Sequence, residues 1–517
     1  MVYGSEKQIW IDEATATFNA QNLKSQTGKR IEVQTVPMGS AEALEKIVSG
    51  QEKPAIWSPA SRLLIPILNK RWVAAHEKKL ITDSTPLVFS PVVIAMWKPM
   101  AQALGWPKKP IGWADIAALG KNGKSWKDFG HPEWGAFQFG HTHPDYSNSG
   151  VVSILATVYA AVGKVDNLTV ADVKKPEAAR LLADLEGSVI HYGESTGFFG
   201  RQMFSRGPAY LSAAVLYENL VVESYDSSKY PNRPLPVVAI YPKEGTIWAD
   251  HPFAVPDAPW VTDELRAAAN TYRDFLRSEP QQRRALALGF RPAAAIQTGA
   301  PITPQNGVDA AQPKTLLQVP SADVLEAVRG LWGRQKKRVE VQVVLDTSGS
   351  MSDERRLEQA KAALKIFVGQ LSDEDYLGVT TFSTTATSLT QLSKLGPKRS
   401  AVLERIAGLF PSGKTRLIDT ASEAYRALRD LPSGDRIRAV VLLTDGEDTS
   451  STGNADDLVA LLGKDESGQG VKVFTIAYGS GANAAVLKRI ADASGAKSYA
   501  SDPTKIAQVY RDIATFF

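Results

Sequence analysis

Three short stretches carry oxygen-bearing side chains in a pattern that suits a hard metal ion. Asp346, Ser348 and Ser350 alternate in DTSGS, Thr415 follows Gly413-Lys414, and Asp445 stands in TDG. Two carboxylates, three hydroxyls and water form an oxygen-only donor set of modest charge. Such a set favours Mg²⁺ or Mn²⁺, accepts Ca²⁺, and lacks the nitrogen and sulfur that zinc prefers. Gly349 permits the bend that would turn both serines to one side. Alone, DTSGS reads as a strand-end turn capping the next helix. Its combination with Thr415 and Asp445, each at another element boundary, points to metal instead.

The elements that must position these residues are legible around them. VEVQVVL, residues 339–345, is a β-rich apolar run that stops at Asp346, as a buried parallel strand does at the carboxyl edge of an open α/β sheet. A helix is expected from about residue 353, with Leu357, Ala360, Leu364, Phe367, Val368 and Leu371 along one face. Strands are expected at 376–382, 438–443 and 471–477, and helices at 399–409, 416–431, 484–493 and 503–516. The alternation requires a central, mostly parallel sheet flanked by helices.

Residues 338–517 resemble a von Willebrand factor A domain with its metal-ion-dependent adhesion site. DTSGSM matches the first motif of that family, GKTRLID (413–419) supplies the threonine and LLTDGED (442–448) the aspartate. The resemblance implies a Rossmann-like fold, with Ser348, Ser350 and Thr415 as direct ligands and Asp346 and Asp445 direct or through water. It further implies a coordination position for a Glu or Asp carboxylate of a protein partner, and binding without catalysis.

GLFPSGKT, residues 408–415, also satisfies the pattern of a phosphate-binding loop. Its context argues against that use: a helix precedes it where a strand is needed, and Pro411 removes a backbone N–H from the cradle.

At 517 residues the chain suits about three units of ordinary size. A hydrophobic share of 44% with 22% charged residues describes a packed protein, and a formal net charge of +4 without a long basic stripe gives no reason to expect nucleic acid. Cysteine is absent, which excludes disulfides and thiolate chemistry. No apolar run approaches the ~20 residues of a membrane span. All six histidines precede residue 260 and none joins a hydrolase motif, so a non-enzymatic protein is expected.

Residues 1 to about 290 alternate helical and extended patterns: a helix at 6–22, a strand at 30–36, a helix at 41–49, and a strand at 54–57 opening into Ser58-Pro59-Ala60-Ser61. Extended runs near 86–97 and 235–250 read as two crossings between lobes that flank a cleft. Strand ends facing that cleft nominate Ser58, Ser61, Thr142, Asp145, Tyr146, Ser147, Asn148 and Ser149 for a small polar solute, the last six preceding an apolar helix at 150–162. His141 and His143, near His131 and Asp145, raise a zinc alternative that lacks a recognisably spaced third ligand.

IWSPASRL (56–63), SPVVIAMW (90–97), HPEWGAFQFGHTHPDYSNSG (131–150) and YPKEGTIWADHPFAV (241–255) resemble a bacterial extracellular solute-binding protein of the two-lobed periplasmic type. That resemblance implies hinge closure around a small molecule, and an extracellular or cell-surface place held by a signal or membrane anchor outside this chain. Prolines at 292, 301, 304, 313 and 320 mark 291–337 as a connector ending in a short helix that Ser321 could cap. The expected architecture is therefore α/β: a two-lobed periplasmic-binding-protein-like unit over 1–290, the connector, and a von Willebrand factor A domain over 338–517. Two functions fit it. One is metal-dependent protein adhesion combined with small-molecule sensing, and the other is delivery of a solute to an ABC-type permease with the second domain as scaffold.

Overall fold

Strand Val88–Trp97 organises the first part of the chain. It is nearly all apolar and buried along its length, so it needs neighbours on both edges. Its first residues pair with Arg291–Pro292, the next with Trp248–Ala249, and its second half with Ala213–Tyr217 and Val237–Ile240, all antiparallel. Phe139–Thr142 and Val189–Gly193 complete this seven-stranded sheet. A separate three-stranded parallel sheet has Val2–Tyr3 at its centre, between Val36–Pro37 and Trp57–Ser58. The strand expected at 30–36 pairs as a ladder only at its end.

The computed structural model describes residues 1–121, 125–193, 195–432, 436–463, 470–502, 505–514 and 516. They divide into two units, Met1–Lys336 and Lys337–Phe517. The proline-rich segment after residue 291 belongs to the first unit and is tied to it. Leu317 N–H donates to Thr246 O at 2.8 Å, and Tyr159 Oη donates to Gln318 O at 2.8 Å. Helix Ala322–Gln335 then buries Val324, Leu325, Val328, Leu331 and Trp332, the apolar face expected from its spacing. Ser321 occupies its N-cap position without a side-chain capping bond.

The second unit is a six-stranded sheet in the order Ala386–Lys394, Tyr376–Phe382, Arg338–Asp346, Arg436–Thr444, Lys472–Tyr478, Ser498–Ser501. All pairings are parallel except that of the edge strand Ala386–Lys394. Central strands alternate with helices Arg356–Gln370, Leu417–Arg429 and Ala484–Ala493. Leu417, Ile418, Ala421, Tyr425 and Leu428 of one helix join Val344, Val440 and Leu442 of the sheet in one core. The edge strand was not legible in sequence because its buried and exposed residues do not alternate regularly and its ladder is bulged. The helix expected from 353 begins at Arg356, because Glu354 and Arg355 take left-handed backbone angles (φ 49° and 58°).

Candidate functional site

The oxygens singled out in sequence meet at the carboxyl edge of the second unit's sheet. Asp346 ends the central strand, and its Oδ1 accepts the Ser348 N–H at 2.7 Å, the local bond that bends the chain back over the strand end. Thr444, ending the neighbouring strand, donates its hydroxyl to Asp346 Oδ2 at 2.6 Å. Ser348 Oγ and Ser350 Oγ lie 3.1 Å apart, and Ser350 Oγ donates to Asp445 Oδ1 at 2.7 Å. The helix-preceding loop brings Thr415: a Cβ placed on Gly446 would sit 3.8 Å from Thr415 Oγ1 and 3.9 Å from Ser350 Oγ. Asp346, Ser348, Ser350 and Asp445 are thus linked through successive short contacts, and Thr415 and Ser350 both lie against Gly446.

This gathering is rigidly held. Gly349 N–H donates to Gly413 O at 3.0 Å, and Thr415 N–H to Thr449 Oγ1 at 3.0 Å. Asp346 is wholly buried, and burial pushes its carboxyl up to about 6 against the opposing bonds from Ser348 and Thr444. Asp445 is equally buried, and its Oδ2 accepts from Arg356 Nη1 at 3.0 Å. The donor set is carboxylate and hydroxyl throughout, which fits a hard divalent cation. Among the described residues no group of three or more His, Cys, Asp or Glu side chains could hold a metal ion, so a cation here would depend on the hydroxyls as well as the two carboxylates.

The loop that matches the phosphate-binding pattern is spent on this site. Ser412 N–H donates to Thr347 O at 2.7 Å, Lys414 N–H to Thr384 Oγ1 at 3.1 Å, and helix Arg399–Ala407 precedes it. With Thr415 N–H also committed, three of the loop's backbone donors are turned to protein acceptors and Pro411 supplies none, which argues against a phosphate cradle.

In the first unit the nominated solute residues behave differently from one another. Thr142, Ser149, Thr196 and Ser147 form a buried hydroxyl chain with spacings of 2.7, 2.7 and 3.1 Å. Asn148 donates to Tyr217 Oη at 3.0 Å. Ser61 Oγ accepts the Leu63 N–H at 3.1 Å, a helix cap. Ser58 is buried, and its carbonyl accepts from Lys7 Nζ at 3.2 Å. Asp145 is turned to the helix Ala322–Gln335, where Arg329 Nη2 donates to it at 2.7 Å. Tyr146 offers its backbone carbonyl to the N–H groups of Ala41 and Glu42, at the start of helix Ser40–Val48.

Sequence inspection missed Glu6, Lys7, Tyr217 and His251, which lie beside these residues. Lys7 Nζ stands 2.9 Å from Glu6 Oε1 and 3.3 Å from His251 Nδ1, all three buried. Burial opposes charge on Glu6, yet the Lys7 ammonium and His251 hold its carboxyl down at about 2. Ser5 Oγ, Ser58 Oγ, Asn148 Oδ1 and His251 Nε2 are buried without a hydrogen-bond partner among the described residues. Lys7 joins the Ser58 and His251 ends of this group, and Tyr217 joins Asn148 to His251, ring centroids 5.8 Å apart. The available signal was the strand–turn–helix start VYGSEK, with a lysine opposite a strand end.

The zinc alternative finds no support in geometry. His141 Nδ1 lies 2.9 Å from Thr142 O and Nε2 3.0 Å from Glu186 Oε1, so both nitrogens face protein acceptors. His131 stacks on Trp134 and pairs with Glu133 instead of joining them.

Comparisons with known proteins agree with this division. The model of the bacterial extracellular solute-binding proteins matches residues 2–291, and that of the von Willebrand factor type A domain matches residues 340–512. Human calcium-activated chloride channel regulator 4 is 30% identical over 165 residues, 31% of this chain and 17% of that protein. The Mycobacterium tuberculosis protein Rv1836c is 24% identical over 271 residues, 48% of this chain and 35% of that protein. Among solved structures, the periplasmic binding protein AfuA from Actinobacillus pleuropneumoniae is 14% identical with a TM-score of 0.45, covering 65% of this chain and 97% of that one. The chain spans about a third or less of the length of these two curated relatives. With its first family model covering more than half of its residues, the chain belongs to the bacterial extracellular solute-binding proteins and carries a von Willebrand factor A domain after that unit.

Proposed function

We propose that the second unit is a divalent-cation-dependent docking site for an acidic side chain of a protein partner. The observation that carries this is the linked set of oxygens from Asp346, Ser348, Ser350 and Asp445, with Thr415 and Ser350 both against Gly446 and oxygen donors alone. Those five residues would hold Mg²⁺ or Mn²⁺, directly or through water. Bound there, the ion supplies an oxygen-seeking Lewis acid that a Glu or Asp carboxylate can complete. No nucleophile–base pair is proposed, and the unit acts by binding.

A second role, holding a small polar molecule, is favoured by the unpartnered Ser5, Ser58, Asn148 and His251 atoms of the first unit. Free opening and closing for delivery to a permease is less well supported, because helix Ala322–Gln335 ties both sides of that unit. Arg329 reaches Asp145 on one side, and Lys70 Nζ on the other donates to Asp323 at 2.6 Å. The family's extracellular or periplasmic setting suits both roles. Among the described residues no helix is long and apolar enough to cross a membrane.

Selection of a displayed random-peptide library on the immobilised protein in Mg²⁺, eluted with chelator, tests the docking role. Asp- or Glu-containing peptides are expected to enrich on the wild type and not on Ser348→Ala. Chelator-insensitive or charge-indifferent enrichment would refute it.

A further inference from the structure

Arg356 lies beside the oxygen cluster, and the donor set does not call for it. Its guanidinium is 11% exposed and lies against a carboxylate that is fully buried. Asp445 is thereby divided: Oδ1 accepts from Ser350 Oγ at 2.7 Å, and Oδ2 from Arg356 Nη1 at 3.0 Å. The position is built, not incidental. Glu354 and Arg355 both adopt left-handed angles just before it, and Tyr478 Oη donates to the Arg356 carbonyl at 3.1 Å. Gly479, at φ +80°, leaves room for the side chain, since a Cβ there would fall 3.2 Å from Arg356 Nε and Cζ. Nε itself is buried with no partner among the described residues, a desolvation cost that the Asp445 pair must offset.

We propose that Arg356 is a resident counter-charge that sets how strongly the site holds its cation and how strongly the loaded site attracts an anion. This rests on the docking role above. Asp346 and Asp445 bring two negative charges, and the guanidinium cancels one; the Glu354 carboxylate, 3.6 Å from Arg356 Nη2, is 69% exposed and screened by solvent, so it adds little to this balance. A divalent ion then leaves the site with a single net positive charge, which favours a partner's carboxylate. Without Arg356 the loaded site would be neutral, so the ion would be held more tightly and the carboxylate more weakly. Arg356 touches neither the ion nor the partner in this account; it acts through Asp445.

Mn²⁺ titration of the chelator-treated 517-residue protein by calorimetry tests this, with Arg356→Gln, Arg356→Lys and the wild type compared. A divalent and a unit charge several ångströms apart interact by about a factor of ten even at the dielectric of water. Arg356→Gln is therefore expected to bind Mn²⁺ at least about tenfold tighter. Arg356→Lys keeps the charge and should stay within about twofold of the wild type. Acetate binding to the Mn²⁺-saturated proteins, followed by water-proton relaxation, should weaken in Arg356→Gln by about threefold, since a unit charge interacts half as strongly as a divalent one, and be retained in Arg356→Lys. Arg356→Met, which fills similar space, replaces the Gln variant if thermal melting shows that one unfolded. Titration in the wild type with unchanged or weaker binding in the uncharged variants overturns the counter-charge and leaves the metal site standing. No titration in any of the proteins overturns both. Failure of both uncharged variants to fold makes the guanidinium a folding requirement and also overturns the proposal.

Discussion

Replacing Trp332 with Phe should loosen helix Ala322–Gln335 without unfolding the first unit. The indole is 2% exposed, donates Nε1–H to Glu186 Oε1 at 3.1 Å, and meets the rings of His143 and Tyr192 edge-on at 4.8 and 5.5 Å. Phenylalanine keeps most of the apolar burial and removes the donor. A hydrogen bond to a carboxylate contributes about 1.5–3 kcal/mol to stability. The exposed ion pairs of Lys70 with Asp323 and Glu326 are too screened to replace it. At about 1.4 kcal/mol per factor of ten, undocking should become roughly 10- to 100-fold more frequent. Native-state hydrogen exchange of the amides in 322–335 reads this directly, provided that the amides of Val88–Trp97 keep their wild-type protection. Unchanged exchange in 322–335 would refute the view that Trp332 and Glu186 fasten the helix.

His143 gives the first unit a pH dependence. Burial pushes its imidazole down from 6.5 to about 3, so the unfolded chain takes up a proton there that the folded chain refuses. Between pH 6.5 and 3 stability must fall as pH falls, by about 2 kcal/mol from pH 7 to 5 for this group. Urea unfolding should show a shallower acid loss in His143→Gln; an equal slope would contradict the assignment. A Cβ on Gly481 would lie 2.7 Å from Asp445 O, so Gly481→Ala should destabilise the second unit by about 1–3 kcal/mol and weaken Mn²⁺ binding without altering a donor. An unchanged melting temperature would show that the loop yields freely. Because Ser412, Lys414 and Thr415 N–H groups are committed, Mg·ATP should give no thermal shift beyond that of Mg²⁺ alone; a nucleotide-specific shift would reopen the phosphate-binding reading.

The second unit was the more legible because its strands are continuous apolar runs whose ends coincide with the oxygen-bearing residues. The run before Asp346 and the one before Asp445 form adjacent parallel strands, Arg338–Asp346 and Arg436–Thr444, as their composition requires. Arg356 and the Ala386–Lys394 edge strand were not readable. The first depends on two left-handed residues that no propensity demands, and the second on a bulged ladder with little apolar contrast. In the first unit, polar residues before helix Asn148–Val162 were visible as a cluster. Their division among a hydroxyl chain through Thr196, a bond to Tyr217 and a tie to Arg329 depends on partners 47 to 184 residues away. Only tertiary structure brings Lys7, Tyr217 and His251 to the same place, since each is unremarkable in its own segment.

Calorimetric titration of Mg²⁺ and Mn²⁺ into chelator-treated protein, beside Asp346→Ala, tests the oxygen site most directly. One saturable site per chain, lost in Asp346→Ala with the fold retained, is the expected result. Absence of saturable heat in the wild type, or equal binding in Asp346→Ala, would contradict a cation site built on Asp346, Ser348, Ser350, Thr415 and Asp445.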